Sequence, residues 1–221
     1  MNKYILTFTL FLSFLMAKSQ SVNWEGEVHY VTTYTYFPEA LKGYKDYLPV
    51  TMDIYIRKNL VCKEGPTGLA NGYQIHITNL ATQNGYTAMT VADNQVAYRK
   101  GPAEYASESE AMPIPTSIEY VNETRTIAGF PCKKALVYLA NSSKPFTVFY
   151  TNQLPSEAYI VYKGLKGFPL YFEGSMNGVT FYSEAKSVNP TKQADSKFLL
   201  PQEYHIVSYE EFKSTLIKDV N

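Results

Sequence analysis

The amino-acid sequence predicts a mainly β protein built on one long, curved antiparallel sheet. Apolar and polar residues alternate with a period of two along most of the chain, and turn-forming pairs such as Asn177-Gly178 separate the alternating segments. Aromatic residues make up 15% of the chain and charged residues only 18%, which excludes a disordered polypeptide. A single antiparallel sheet of roughly nine to eleven strands is too large to stay flat, so we expect it to curl.

Residues 1–19 have the features of a signal peptide. Lys3 supplies a positive start, and Tyr4 to Ala17 form an apolar stretch that is shorter than the roughly 20 residues of a membrane-spanning helix. Small residues at Ala17 and Ser19 fit cleavage before Gln20. We therefore expect export to the periplasm or secretion, followed by one soluble β-rich domain over residues 20–221.

The alternation places the strands in order along the chain. The predicted strands are residues 24–36, 52–57, 60–63, 73–78, 86–91, 95–99, 119–123, 133–139, 146–151, 170–173 and 179–186. Turns are predicted at Lys58-Asn59, Asn84-Gly85 and Asp93-Asn94, because these residues tolerate positive φ or form local hydrogen bonds. Short turns between consecutive strands predict a meander.

Two segments depart from the strand pattern. Residues 101–116 carry three prolines with several Glu and Ser residues, which indicates a surface excursion with room for one short helical turn. The excursion is either an ordinary connection or a lid. At the C-terminus, Ser208 precedes Glu211 at a helix-capping spacing, and Phe212 starts a helical repeat of apolar residues. One terminal helix is expected.

The alternating strands predict an apolar, aromatic inward face on the curled sheet. The candidate face residues are Trp24, Val28, Tyr30, Ile54, Ile56, Ile75, Ile77, Phe146 and Val148. If a helix or side chains fill the concavity, this face is an ordinary core. If the concavity stays partly open, it is a pocket for an acyl chain or another apolar ligand.

The cysteines Cys62 and Cys132 have two open interpretations. In an oxidising compartment they are able to form a disulfide, and otherwise they are two buried thiols packed as small hydrophobic residues. A metal site is not expected, because the close spacing of ligands in a structural zinc site is missing.

The sequence contains no recognisable catalytic constellation. His29, His76 and His205 are scattered, and His29 and His76 fall on the polar phase of their strands, where solvent exposure is the default. No nucleophile elbow, metalloprotease motif or phosphate-binding glycine loop is found. The formal net charge is zero, which disfavours nucleic acid as a partner. We predict a protein that is not an enzyme and needs no cofactor.

The second half of the chain resembles a known secreted family. The similarity rests on Glu123 to Ala135, Phe149 to Thr151, Gly167 to Leu170, Tyr204, and Ser208 to Lys213. These segments resemble the family catalogued as domain of unknown function 4412, which is similar to the LolA-like envelope proteins. The resemblance implies an unclosed β-barrel with helices on its concave side, in a superfamily whose best-known members carry lipoproteins.

Two functional hypotheses follow. The first is an exported, non-enzymatic binding protein that shelters a lipid or acyl chain in the curved sheet, with a lipid or an acylated protein as its partner. The second is an envelope structural or protein-interaction module with a filled core, which engages its partner through edge strands or a tyrosine-rich surface.

Overall fold

In the computed structural model of the protein, which describes residues 24–68, 71–91 and 94–218, one curved and unclosed sheet of 12 strands is the main element. The strands are β1 (Glu25–Tyr36), β2 (Thr51–Arg57), β3 (Leu60–Pro66), β4 (Tyr73–Asn79), β5 (Asn84–Val91), β6 (Asn94–Lys100), β7 (Ser117–Ile127), β8 (Phe130–Tyr138), β9 (Phe146–Thr151), β10 (Phe168–Met176), β11 (Val179–Asn189) and β12 (His205–Ile206). The mainly β prediction is confirmed. The predicted signal peptide, residues 1–19, lies outside the described residues.

The sheet consists of two meanders joined by the first strand. Its order is β12-β6-β5-β4-β3-β2-β1-β11-β10-β9-β8-β7. All neighbouring strands pair antiparallel except β12 and β6, which pair parallel. The strand β12 was not predicted. β1 therefore lies in the middle, with β2 on one side and β11 on the other.

The turns show where local sequence chemistry decides the hairpins. Lys58 adopts a positive φ of 54° between β2 and β3, and Asn177 and Gly178 adopt φ values of 52° and 81° between β10 and β11, as predicted. The predicted reversal at Asn84-Gly85 is displaced. The turn lies over residues 80–83, and Asn84 already pairs with Asn79 at the start of β5.

The described residues include two α-helices, one after β6 and one after β12, and the sequence predicts helical structure at both places. Helix α1 (Pro102–Glu110) is longer than the single turn expected there, and the Glu104 carboxylate accepts a hydrogen bond from the Gly101 N–H at 2.9 Å. Helix α2 (Tyr209–Lys218) begins as predicted, because Ser208 Oγ accepts from the Glu211 N–H at 3.2 Å. Three 3-10 helices were not predicted. They are Glu39–Tyr47, Ser156–Ala158 and Asp195–Phe198.

The two surfaces of the sheet are covered by different parts of the chain. Both α-helices lie on one surface, which we call the helix-bearing face. The Glu108 carboxylate of α1 contacts Lys100 there, and Phe212 of α2 packs on Tyr98. The opposite surface, the outer face, is covered over β2 to β5 by residues 193–204, with Phe198 and Tyr204 buried there. Within the described residues, no helix is long and apolar enough to cross a membrane.

Candidate functional site

Cross-strand register assigns each predicted face residue to one surface. Val28 pairs with Ile54, Ile54 with Lys63, and Lys63 with His76. Residues paired in this way point to the same surface, and alternation then fixes their neighbours. The helix-bearing face thus continues from β1 through β2 into β3 and β4.

Most of the predicted face residues do come together on the helix-bearing face. Val28, Tyr30, Ile54, Ile56 and Val148 have 0% exposure and belong to one core cluster. Trp24 and Phe146 are partly buried and pack against it. We call this region, formed by β1, β2 and β8 to β11, the filled half.

Ile75 and Ile77 do not belong to that face, and the prediction for them is wrong. Ile77 pairs with Cys62, so both isoleucines lie on the outer face in a second cluster with Phe198 and Tyr204. The physical reason is that alternating apolar residues show that one side of a strand is buried, but they do not show which face of the sheet that side belongs to. In β4 the covered apolar surface is the outer one.

The filled half is packed by the chain's own residues 154–165. Leu154 is buried, and the Tyr159 ring packs at 5.5 Å from Tyr30 and 6.0 Å from Phe168. The buried Tyr30 hydroxyl donates to the Pro169 carbonyl at 2.5 Å, and burial raises the pKa of Tyr30 well above its ordinary value. This apolar region is therefore a core rather than an open acyl pocket.

The same face changes character over β3 to β6, a region that we call the site half. It carries Lys63, His76, Thr87 and Tyr98 in one cross-strand row, with Lys100 two residues beyond Tyr98. His76 Nδ1 lies 3.2 Å from Thr87 Oγ1. Half-buried apolar residues complete the surface. They are Met89 on β5 and Val96 on β6, which pair with each other.

The electrostatics of the site half are dominated by positive charge. The Lys100 ammonium is 3% exposed and lies 2.6 Å from the Glu108 carboxylate. Burial and then the charges of Lys63 and Lys100 lower the pKa of His76 to about 3, so His76 is neutral at pH 7. Burial, followed by the charge of Lys100, also lowers the pKa of Lys63. Within the part of the chain that the structure describes, no carboxylate is within salt-bridge distance of Lys63.

The two α-helices flank this charged surface. Glu108 of α1 is 47% exposed, so the ion pair with Lys100 is open to solvent on the helix side. On α2, the rings of Tyr209 and Phe212 pack 5.1 Å and 4.8 Å from the Tyr98 ring. The site half is thus a polar strip with apolar margins, bounded by two helix ends.

Sequence reasoning did not find Lys63, Lys100 or Glu108. A usable signal was present, because Lys100 continues the phase of Val96 and Tyr98 on β6. A charged residue in the buried phase of a strand requires a partner or a ligand. His76 was expected to be solvent-exposed, but it is half-buried between the two lysines.

The two cysteines are free thiols, so the disulfide interpretation is not what the structure shows. Cys62 lies in the cluster on the outer face, whereas Cys132 lies in the core cluster with Tyr30. Burial raises the pKa of Cys62 to about 12 and that of Cys132 to about 11. Both thiols are poor nucleophiles at neutral pH.

The remaining histidines, His29 and His205, lie on β1 and β12, outside the strands of the site half. His29 lies on the outer face with Asp53 at 2.7 Å, and His205 is exposed on β12. Among the described residues, no group of three or more His, Cys, Asp and Glu side chains is arranged to hold a metal ion.

No protein-family model matches the chain, and no curated protein matches it. Membership of the family named above therefore stays a prediction.

Solved structures of PNGF-II in two crystal forms share the fold. One has a TM-score of 0.52 at 17% identity and matches 89% of this chain and 33% of its own. The other has a TM-score of 0.53 at 16% identity and matches 89% and 34%. The chain thus spans about a third of the PNGF-II length. MucB in complex with MucA(peri) is less similar. It has a TM-score of 0.46 at 14% identity, over 84% of this chain and 57% of its own.

Proposed function

We propose that the protein is an exported, non-enzymatic binding module that holds a lipid-class amphiphile against the site half. The difference between the two halves of the helix-bearing face supports this proposal. The filled half is closed by residues 154–165, whereas the site half has half-buried polar and apolar side chains beside two helices. Binding sites combine apolar lining with a few convergent polar groups, and of these two halves it is the site half that has both.

The ligand's position differs from the one that the sequence suggested. Ile54, Ile56 and Val148 are already fully packed, so a ligand there has to displace the protein's own core. On the site half, Met89 and Val96 offer an apolar margin next to Thr87 and His76. A bound acyl chain gains about 0.8 kcal/mol for each buried CH₂ group.

Native mass spectrometry of freshly purified protein tests the proposal. We expect extra mass that organic extraction releases, or that added envelope lipids restore. The variant Met89→Trp fills the site half and should lose this mass, whereas Met176→Trp, at an exposed position in the β10–β11 hairpin, should keep it. The proposal is overturned if wild-type protein stays at its ligand-free mass after lipid addition, or if Met89→Trp binds as wild type does.

A protein-interaction module with a filled core is the second candidate. Its support is a group of exposed apolar residues at one end of the sheet, formed by Tyr36, Tyr44, Tyr47 and Val50. Contiguous exposed apolar surface commonly marks an interaction site. A ligand-free mass in the experiment above favours this candidate. In that case the double variant Tyr44→Ser/Tyr47→Ser should weaken the binding of this protein to its partner protein. The variant Leu199→Ser, at another exposed position, should leave that binding unchanged.

A further inference from the structure

We propose that the site half binds an anionic group, a carboxylate or a phosphate, between Lys63 and Lys100, and that Glu108 occupies part of this position in the free protein. This inference rests on the proposed function and names the chemical class of its ligand.

The protein's own contact shows which chemistry the site accepts. The Glu108 carboxylate lies 2.6 Å from the Lys100 ammonium, which is almost completely buried. A buried ammonium is costly unless it is paired, so Lys100 requires an anion at this place. Because Glu108 belongs to α1 and is itself half-exposed, its carboxylate can exchange with the anionic group of a ligand.

The positive charges on this surface outnumber the carboxylates that face them. The charge of Lys100 disfavours the charged form of Lys63, and Glu108, which pairs with Lys100 at 2.6 Å, favours it. One carboxylate therefore serves two ammonium groups, and Lys63 has no carboxylate of its own among the described residues. An incoming anion supplies the missing charge.

His76 couples this binding to protons. The charged groups that act on its ring are Lys63 on β3 and Lys100 on β6, and Thr87 on β5 contacts its Nδ1 at 3.2 Å. Glu108 of α1 pairs with Lys100. An anion between the lysines offsets their repulsion on the imidazolium, so the pKa of His76 should rise when the ligand binds. Binding should then take up protons and become tighter as pH falls through the pKa that His76 has in the complex.

Titration calorimetry of the full chain at pH 7 with octyl phosphate, inorganic phosphate and octyl glucoside tests the inference. Octyl phosphate should bind, and Lys63→Met should weaken it at least tenfold, whereas Lys63→Arg should stay within about threefold. Lys186→Met is the matched control, since Lys186 is exposed on the outer face beside Glu184. Glu108→Gln should tighten octyl phosphate binding severalfold, because it frees Lys100. If Glu108 only supported the fold, its replacement would not increase the affinity.

The arms of the experiment separate the ligand sources and the two proposals. Equal affinities for octyl phosphate and inorganic phosphate support a free anion, and tighter binding of octyl phosphate supports a lipid headgroup. If octyl glucoside binds as tightly as octyl phosphate and Met89→Trp abolishes both, the anionic class is wrong while the proposed function stands. If none of the probes binds and wild-type protein stays ligand-free, both proposals fall.

Discussion

The filled half and the site half belong to one face of one sheet, yet the first is packed with apolar and aromatic side chains and the second brings charged and polar side chains together. In the filled half, Tyr30, Tyr159 and Phe168 pack ring against ring, and even the Tyr30 hydroxyl finds a carbonyl partner. In the site half, Lys63 and His76 are held close together at a cost to their charged forms. Stability is thus concentrated where the ligand was first expected, and the proposed binding site lies next to it.

The largest expected effect tests whether the filled half is a packed core. Ile54→Ala should lower the free energy of unfolding by about 2–5 kcal/mol, because Ile54 has 0% exposure and its loss leaves a cavity. Urea denaturation measures this loss. Val96→Ala, on the site half, should cost clearly less, since Val96 is only half-buried. Equal losses at both positions contradict the division into two halves.

The next effect is the pH dependence that His76 imposes. Its pKa is about 3 in the folded protein against an ordinary value of 6.5, so below pH 6.5 the unfolded chain binds a proton that the folded chain excludes. Stability should therefore fall as pH drops from 6.5 towards 3, by at most about 1.4 kcal/mol per pH unit.

Denaturation at several pH values isolates this contribution. His76→Gln, which can still hydrogen-bond to Thr87, should flatten the profile between pH 6.5 and 4. His205→Gln, at an exposed position on β12, should leave it as in wild type. An unchanged slope in His76→Gln shows that burial and the two lysines do not hold His76 neutral.

The smallest effect has the opposite sign to the first. Lys63→Met should raise the free energy of unfolding at pH 7 by about 1 kcal/mol, because it removes a desolvated charge beside Lys100 and keeps the side-chain volume. The same variant should weaken octyl phosphate binding. A destabilised Lys63→Met protein indicates that Lys63 has a structural partner, and it contradicts a site kept for a ligand.

The two halves also differ in how far the sequence predicts them. The bounds of β9 match the predicted strand, residues 146–151, and β1 begins one residue later than predicted and ends as predicted, because alternation and turn chemistry act locally. The outer position of Ile75 could not be predicted, since it depends on residues 193–204 returning to cover that surface. The pairing of Lys100 with Glu108 was hidden for a similar reason. It depends on how α1 docks, which no local pattern fixes.

The central position of β1 has a consequence for how the chain folds. Glu27 pairs with Tyr55 on one side and with Asn189 on the other, so one seam closes over a short loop and the other over most of the polypeptide. Pairings between such distant segments slow folding, because loop-closure entropy has to be overcome before any contact is formed. A chain that emerges N-terminus first keeps one edge of this strand unpaired until β11 has emerged. During that interval the nascent protein exposes an unpaired strand edge, which is prone to aggregation.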